Sequence, residues 1–402
     1  MGSALKAVKV SEHVYWVGAI DWTIRNFHGY NTSRGTTYNA YLIMADKVTL
    51  IDTVKCNFKD ELLSRISSVI DPEKIDYFVS NHTEMDHSGC FRDVVEAIKP
   101  EKIFASPNGK KALAAHFHHP YEIEALKDGG SVDLGNMKLT SVLTPMLHWP
   151  DSMVTYLDAD KVMFTQDGFG LHLASTERFD DELPEYGVRY EAAKYYANIL
   201  MPLSMQVKKV LKRLEELNLP IEVLANDHGP VWRKNIPKIL EKYGEWADQK
   251  PTKKAVIVYA SMWKSTEKMA LAISDGLAGK GISVKVMCLD ECHRSDVLVE
   301  ILDAGAMLIG TPTLNNNMFP LVADVLCYMK GLKPKNLLAG SFGSHGWSGQ
   351  GPDLVMAELE AMKLDIVDKP LKINYVPNEE ALEQCRAYGE KVADMLLEKL
   401  SS

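Results

Sequence analysis

The chain lacks any Cys-x-x-Cys pair. Its six cysteines, Cys56, Cys90, Cys288, Cys292, Cys327 and Cys385, are scattered, which excludes a disulfide framework and a zinc or rubredoxin-type iron knuckle. They read as mostly buried thiols, and nothing around Cys288 and Cys292 makes them a redox pair. No apolar run is long enough to span a membrane, and the start, Met1 to Val10, lacks the apolar core of a signal peptide. The expectation is a cytoplasmic protein with no membrane partner. There is no basic block either: 45 Lys and Arg against 54 Asp and Glu give a formal charge of -9 spread along the chain. That argues against nucleic acid and leaves a small molecule or another protein as partner. Internal repeats and low-complexity segments are absent.

What is there is the composition of an ordinary globular protein, 46% apolar and 25% charged over 402 residues, more than one core usually organises. Two domains are expected. The polar stretch Glu245 to Lys254, with Pro251, precedes a switch to the apolar run Ala255 to Ala260, so the domains are placed at 1–250 and 251–402. Upstream, Val14 to Val17, Tyr38 to Met44, Val48 to Ile51 and Tyr77 to Val79 read as strands, with a helix over Phe58 to Val69. Downstream, strands at 255–260, 283–289 and 306–311 alternate with helices at 266–279 and 295–303. That alternation predicts a doubly wound parallel sheet, each crossover helix covering one face.

The densest chemistry is His82-Thr83-Glu84-Met85-Asp86-His87, directly after an apolar strand. Four ligand-capable side chains fill six positions. If the chain turns there as a loop, His82, Glu84 and Asp86 project alternately into one cavity with His87 beside them, a set that suits two metals better than one. Three further candidates each follow an apolar run: His148 in His-Trp-Pro-Asp-Ser, Asp167 in Gln-Asp-Gly, and His228 in Asp-His-Gly. His116, His118 and His119 have no acid in step and read as solvated.

In the second half, Ser261-Met262-Trp263-Lys264-Ser265-Thr266 joins a strand to a helix. Hydroxyls and free N–H groups at a helix start can wrap a phosphate monoester, and no Gly-x-Gly-x-x-Gly dinucleotide fingerprint is present. Two loops at later strand ends, one with Pro312, Thr313 and Asn315, the other with Ser344, Gly346, Trp347 and Gly349, can approach a flat ring, with Trp263 and Trp347 offering aromatic surface.

The order His-x-Glu-x-Asp-His, then His, Asp and Asp-His-Gly resembles the binuclear site of the metallo-β-lactamase superfamily, with a carboxylate at Glu84 where its hydrolases usually carry histidine. The extra oxygen donor suits iron. With His-Trp-Pro-Asp-Ser, the pattern resembles the flavodiiron proteins, and the three later loops resemble the short-chain flavodoxins. The resemblance implies an α/β chain with an N-terminal metallo-β-lactamase-like αββα sandwich and a C-terminal flavodoxin-like doubly wound sheet, carrying FMN and two iron ions. It implies that His82, Glu84 and His148 hold one iron and Asp86, His87 and His228 the other, with Asp167 bridging. It implies that His28 and Tyr195 supply protons or hydrogen bonds. The implied activity is reduction of dioxygen to water or nitric oxide to nitrous oxide, with electrons from rubredoxin or a similar carrier, in a head-to-tail homodimer or higher oligomer. Two other readings stay open at this stage: a binuclear zinc hydrolase with an appended flavodoxin domain, and a flavin electron carrier or sensor.

Overall fold

A computed structural model describes residues 5–401; Met1 to Ala4, the start of the segment read for a leader, and Ser402 lie outside them. The described chain divides into two compact units. One comprises the residues up to His28, Thr32–Tyr195 and Met205–Gly244; the other comprises Gly29–Asn31, Tyr196–Ser204 and the chain from Glu245 onward.

In the first unit a seven-stranded sheet runs in the order Val8–Lys9, Val14–Trp16, Tyr41–Ile43, Thr49–Ile51, Tyr77–Ser80, Lys102–Ala105, Ile123–Ala125. The pairings are antiparallel up to Thr49–Ile51 and parallel beyond it. Side chains alternate across a strand, so the inner strands of this sheet serve two cores. Leu42, Leu50, Phe78 and Ile103 face one way, against Leu62 and Ile66 of the helix Lys59–Ser67 and Phe91, Val94 and Ile98 of Phe91–Ile98. Tyr41, Ile43, Ile51, Val79 and Phe104 face the other way, against Leu139, Met153, Leu157, Val162, Phe164 and Val223 of a second sheet. That sheet is ordered Ser131–Asp133, Lys138–Leu143, Met153–Leu157, Val162–Gln166, Val223–Asn226. Its last three strands are buried on both faces.

The run Tyr38 to Met44 is not one strand. Thr36–Tyr38 pairs with Ala19–Asp21 in a separate ribbon, and only Tyr41–Ile43 enters the large sheet. The break falls at Asn39, whose backbone N–H donates to the Asp227 carbonyl at 2.7 Å and whose amide side chain bonds Trp16, Asn226 and Gly229. Tertiary hydrogen bonds there outweigh local strand preference.

The second unit follows the alternation closely. Its sheet runs Ser283–Cys288, Lys254–Tyr259, Ala306–Gly310, Leu338–His345, Asp365–Ile366, all parallel, with Leu371–Asn374 also paired to Leu338–His345. Ala255 and Ile257 pack under the helices Ser265–Gly279 and Glu379–Ser401. Those helices approach closely at two glycines: a Cβ on Gly276 would lie 2.1 Å from the Arg386 carbonyl, and one on Gly389 2.2 Å from that of Ile273. The thiols depart from expectation. Cys90 and Cys385 are buried, but Cys56 and Cys327 are exposed and Cys288 and Cys292 half-buried, each sitting on a turn, strand end or helix face that the cores leave open.

Candidate metal centre

Four segments leave their strands within reach of one another. The first follows Tyr77–Ser80. It is not the open loop expected: Met85–Ser88 coils into one helical turn, with Glu84 in extended conformation before it. Ser88 donates from its N–H to the Glu84 carbonyl at 2.9 Å and from its hydroxyl to that of Thr83 at 2.8 Å. The turn brings Asp86 and His87 in together. Gln166 fixes two more segments, donating from its side chain to the Leu147 carbonyl and accepting from the Asp167 N–H, each at 2.7 Å. The last segment follows Val223–Asn226, where the Asn226 side chain donates to the His228 carbonyl.

Seven side chains meet there in two groups. His82, Glu84, His148 and Asp167 form one, and Asp86, His87 and His228 the other; within each, one donor atom per residue lies within 4.8 Å of the rest. Asp167 reaches both. One oxygen stands 2.8 Å from His148 Nε2 and 3.5 Å from His82 Nε2, the other 3.0 Å from His87 Nε2 and 3.3 Å from His228 Nε2. Glu84 Oε2 is 3.4 Å from His82 and 3.2 Å from His148, and Asp86 lies 3.4 Å from His87 and 3.2 Å from His228.

Burial alone would push these histidines towards neutrality, yet the acids overcome it. His82 is raised well above its ordinary value by Asp151, Glu84 and Asp167, and His87 to about 9 by Asp86 and Asp167. His148 and His228 rise for the same reason. Asp167, which burial would raise, is instead held well below the carboxylate range by the charges of His87 and His228. A buried cluster this rich in anions demands cations, whether protons or metals. The donor set fits metals: both oxygens of Asp86, one of Asp167 and Nε2 of His87 are buried without a hydrogen-bond partner among the described residues, and such orphaned buried groups call for one. Four imidazoles and three carboxylates make a mixed set suited to iron.

The other two predicted residues differ in placement. His28 lies at the mouth, largely exposed, with Nε2 3.4 Å from Glu84 Oε1. Tyr195 is buried, its ring 6.0 Å from that of His228 and 5.1 Å from that of His172. Burial and the charges of Asp167 and Glu84 keep its phenol protonated. His116 and His118 are exposed, while His119 is partly covered and stacks on Tyr121 at 5.3 Å.

The sequence reading missed a surrounding layer. His82 Nδ1 meets Asp151 Oδ2 at 3.0 Å; His228 Nδ1 faces the Thr37 carbonyl at 2.7 Å; Thr36 Oγ1 bonds His172 Nδ1 at 2.8 Å. Asp52 Oδ1 accepts from Asn81 N–H at 2.7 Å, and burial lifts its carboxyl to about 7. Only Asp151 carried a signal, its place in His-Trp-Pro-Asp-Ser; Thr36 and Thr37 come from a strand and Asp52 and His172 from segments outside the strands.

In the second unit a cavity of about 270 Å³ opens where the sheet order reverses, the usual ligand position in such folds. Ser261, Met262, Trp263, Ser265, Pro312, Thr313, Ser344 and Gly346 line it, as do His345, Tyr375 and Val376, which the sequence reading did not select. Thr266 lies behind, bonded to Ser344 at 3.3 Å. Asn315, Trp347 and Gly349 are not among its lining. Trp347 is 91% exposed, and Gly349 backs onto the His345 ring. The Ser261 hydroxyl is buried and has no hydrogen-bond partner among the described residues, a donor left over for a ligand such as the FMN phosphate.

Comparison with known proteins agrees with both halves. The family described as ODP family beta lactamase matches residues 36–229, and Flavodoxin matches 257–389. The chain is 44% identical to a nitric oxide reductase of Moorella thermoacetica, over 96% of this chain and 98% of the relative. It is 43% identical to the rubredoxin-oxygen oxidoreductase of Megalodesulfovibrio gigas, over 99% and 100%. Among solved structures, the flavodiiron protein from Giardia intestinalis superposes with a TM-score of 0.95 at 32% identity, covering 99% of this chain and 98% of that one.

Proposed function

Because the chain belongs to the flavodiiron protein family, we propose that its two halves act as a diiron domain over 1–250 and an FMN domain over 251–402. It is an oxidoreductase that reduces dioxygen to water or nitric oxide to nitrous oxide at a non-haem diiron site, with FMN as the internal electron carrier. The zinc-hydrolase and simple flavin-carrier readings are not favoured. In this reading His82, Glu84 and His148 hold one iron, Asp86, His87 and His228 the other, and Asp167 bridges. The observation that carries it is Asp167, whose two oxygens face the histidines of both groups.

When bound, two ferrous ions and one reduced FMN supply the four electrons that convert dioxygen to two waters; coupling two nitric oxides to nitrous oxide and water takes two. The chain's own residues do the rest. Glu84 and Asp86 add negative charge that favours the more oxidised metal state. Tyr195, protonated and buried beside His228 and His172, offers a hydrogen-bond donor inside the pocket. His28, exposed and 3.4 Å from Glu84, links that carboxylate to solvent and can deliver protons from it. The Ser261 hydroxyl and the start of the helix Ser265–Gly279 would hold the FMN phosphate. Pro312, Thr313, Ser344 and Gly346, which line the same cavity, would hold the ring, while Asn315, Trp347 and Gly349 lie on the same two loops outside its lining.

Rubredoxin or a similar one-electron carrier is the proposed donor, in line with the name of the Megalodesulfovibrio gigas relative. A head-to-tail homodimer or higher oligomer in the cytoplasm is the proposed working form. No described helix is long and apolar enough to cross a membrane. The test is metal and flavin analysis of purified protein, followed by air added to the reduced sample. Roughly two irons and one FMN per chain, with oxygen consumed and no hydrogen peroxide, is the expected result. Zinc in place of iron, or peroxide as the main product, would overturn the reading.

A further inference from the structure

Asp151 is not among the seven metal-facing side chains, yet it is 3% exposed and bonded to one of them. Its Oδ2 accepts from His82 Nδ1 at 3.0 Å and from the Thr83 backbone N–H at 2.7 Å. Its own backbone is held in turn, the carbonyl accepting from Ser106 Oγ at 2.6 Å. With Nδ1–H directed to Asp151, His82 presents Nε2 between Glu84 Oε2 at 3.4 Å and Asp167 Oδ2 at 3.5 Å, where a metal that displaces its proton would take the lone pair. A single carboxylate thus sets the tautomer and ring plane of His82 and anchors the backbone that leads into Glu84.

Among the described residues, the other group has no imidazole whose Nδ1 is hydrogen-bonded to a carboxylate. His87 Nδ1 is buried without a hydrogen-bond partner among the described residues, with Asp227 Oδ2 3.5 Å away. His228 Nδ1 meets a neutral carbonyl, that of Thr37. A carboxylate behind a ligating imidazole orients it and raises its basicity, and removing such a partner typically weakens metal binding by about 10–100-fold.

Resting on the diiron reading, we propose that Asp151 is a positioning residue: it locks His82 so that the metal position of His82, Glu84, His148 and Asp167 holds its ion more firmly than the position of Asp86, His87 and His228. The full FMN-loaded chain, loaded anaerobically with ferrous ion, is challenged with a chelator and iron release is followed with time, FMN content and melting temperature being recorded alongside. Two release phases are expected for the unmodified chain. Asp151→Ala accelerates the slow phase by about 10–100-fold, with the fast phase and FMN content unchanged; the melting temperature falls, because His82 Nδ1 and the Thr83 N–H lose their buried acceptor. Asp151→Asn keeps the size and an acceptor oxygen for Thr83 but not the charge, so it accelerates the same phase less; it decides the matter if the alanine variant fails to fold. Release of both irons at one rate from the unmodified chain, an unmoved slow phase in the variants, or equal acceleration of both phases overturns the proposal alone. An unmodified chain that takes up no iron sinks the diiron reading and the proposal together.

Discussion

Replacing Asp167 by asparagine removes one charge and almost no volume. In the folded chain that charge stands 2.8 Å from His148, 3.0 Å from His87, 3.3 Å from His228 and 3.5 Å from His82. Asp167 is 2% exposed, so water does little to screen these contacts. Removing one partner of a buried charge pair costs about 3–5 kcal/mol. If metals occupy the place of the histidine protons, the same carboxylate faces two cations and the loss falls on metal affinity. At about 1.4 kcal/mol per decade, the expected weakening is about two to three and a half orders of magnitude. The assay is competition for ferrous ion against a chelator of known affinity, with gas consumption measured on the same samples. FMN belongs to the other folding unit and serves as an internal control: the variant should keep it, and the flavin should still be reducible. Two irons held at the affinity of the unmodified chain would refute the bridging role.

The raised histidines give a pH dependence with a definite sign. Metal-free His82, His148 and His228 titrate above their ordinary values and His87 at about 9, so near neutrality a metal must displace protons. Uptake should acidify a weakly buffered solution, and affinity should still be rising with pH through about 9, where His87 loses its proton; proton-free binding at pH 7 would count against the histidine assignment. Ser261→Ala deletes the buried hydroxyl in the FMN cavity, and losing a hydrogen bond to a charged group costs about 1.5–3 kcal/mol. FMN binding, measured by fluorescence quenching, should weaken by about one to two decades, and an unchanged dissociation constant would remove Ser261 from the phosphate site. Gly343→Ala places a Cβ 1.8 Å from the Thr311 carbonyl. Overpacking of that kind costs about 1–3 kcal/mol or more, so flavin should leave at a lower temperature on heating while the iron content holds.

The parallel sheet of the second unit was legible because buried parallel strands are near-continuous apolar runs and their helices begin and end on clear signals. The observed strands 254–259, 283–288 and 306–310 lie within one residue of the expected ends. The first unit was harder. Its strands are short, and the break at Asn39 depends on partners about 190 residues away along the chain. Position along the chain exposed the seven metal-facing residues, because each follows an apolar strand. It did not expose Asp151, Asp52 or Thr36, whose residue types are ordinary in loops and strands. In the FMN cavity, Tyr375 and Val376 were missed because they follow a strand that pairs with Leu338–His345 out of simple sequence order.

The sequence by itself determined the donor inventory: a histidine and carboxylate set with Glu84 in place of another nitrogen, and hydroxyls at a helix start with no dinucleotide fingerprint. Those are properties of residue type and local order, which the chain carries whether folded or not. Tertiary structure alone decided which donors lie together in each group, that Asp167 faces both groups, and that His82 is backed by a carboxylate while His228 is backed by a carbonyl. Those are distances between strands remote in the chain, and they exist only once two sheets have closed on a common core.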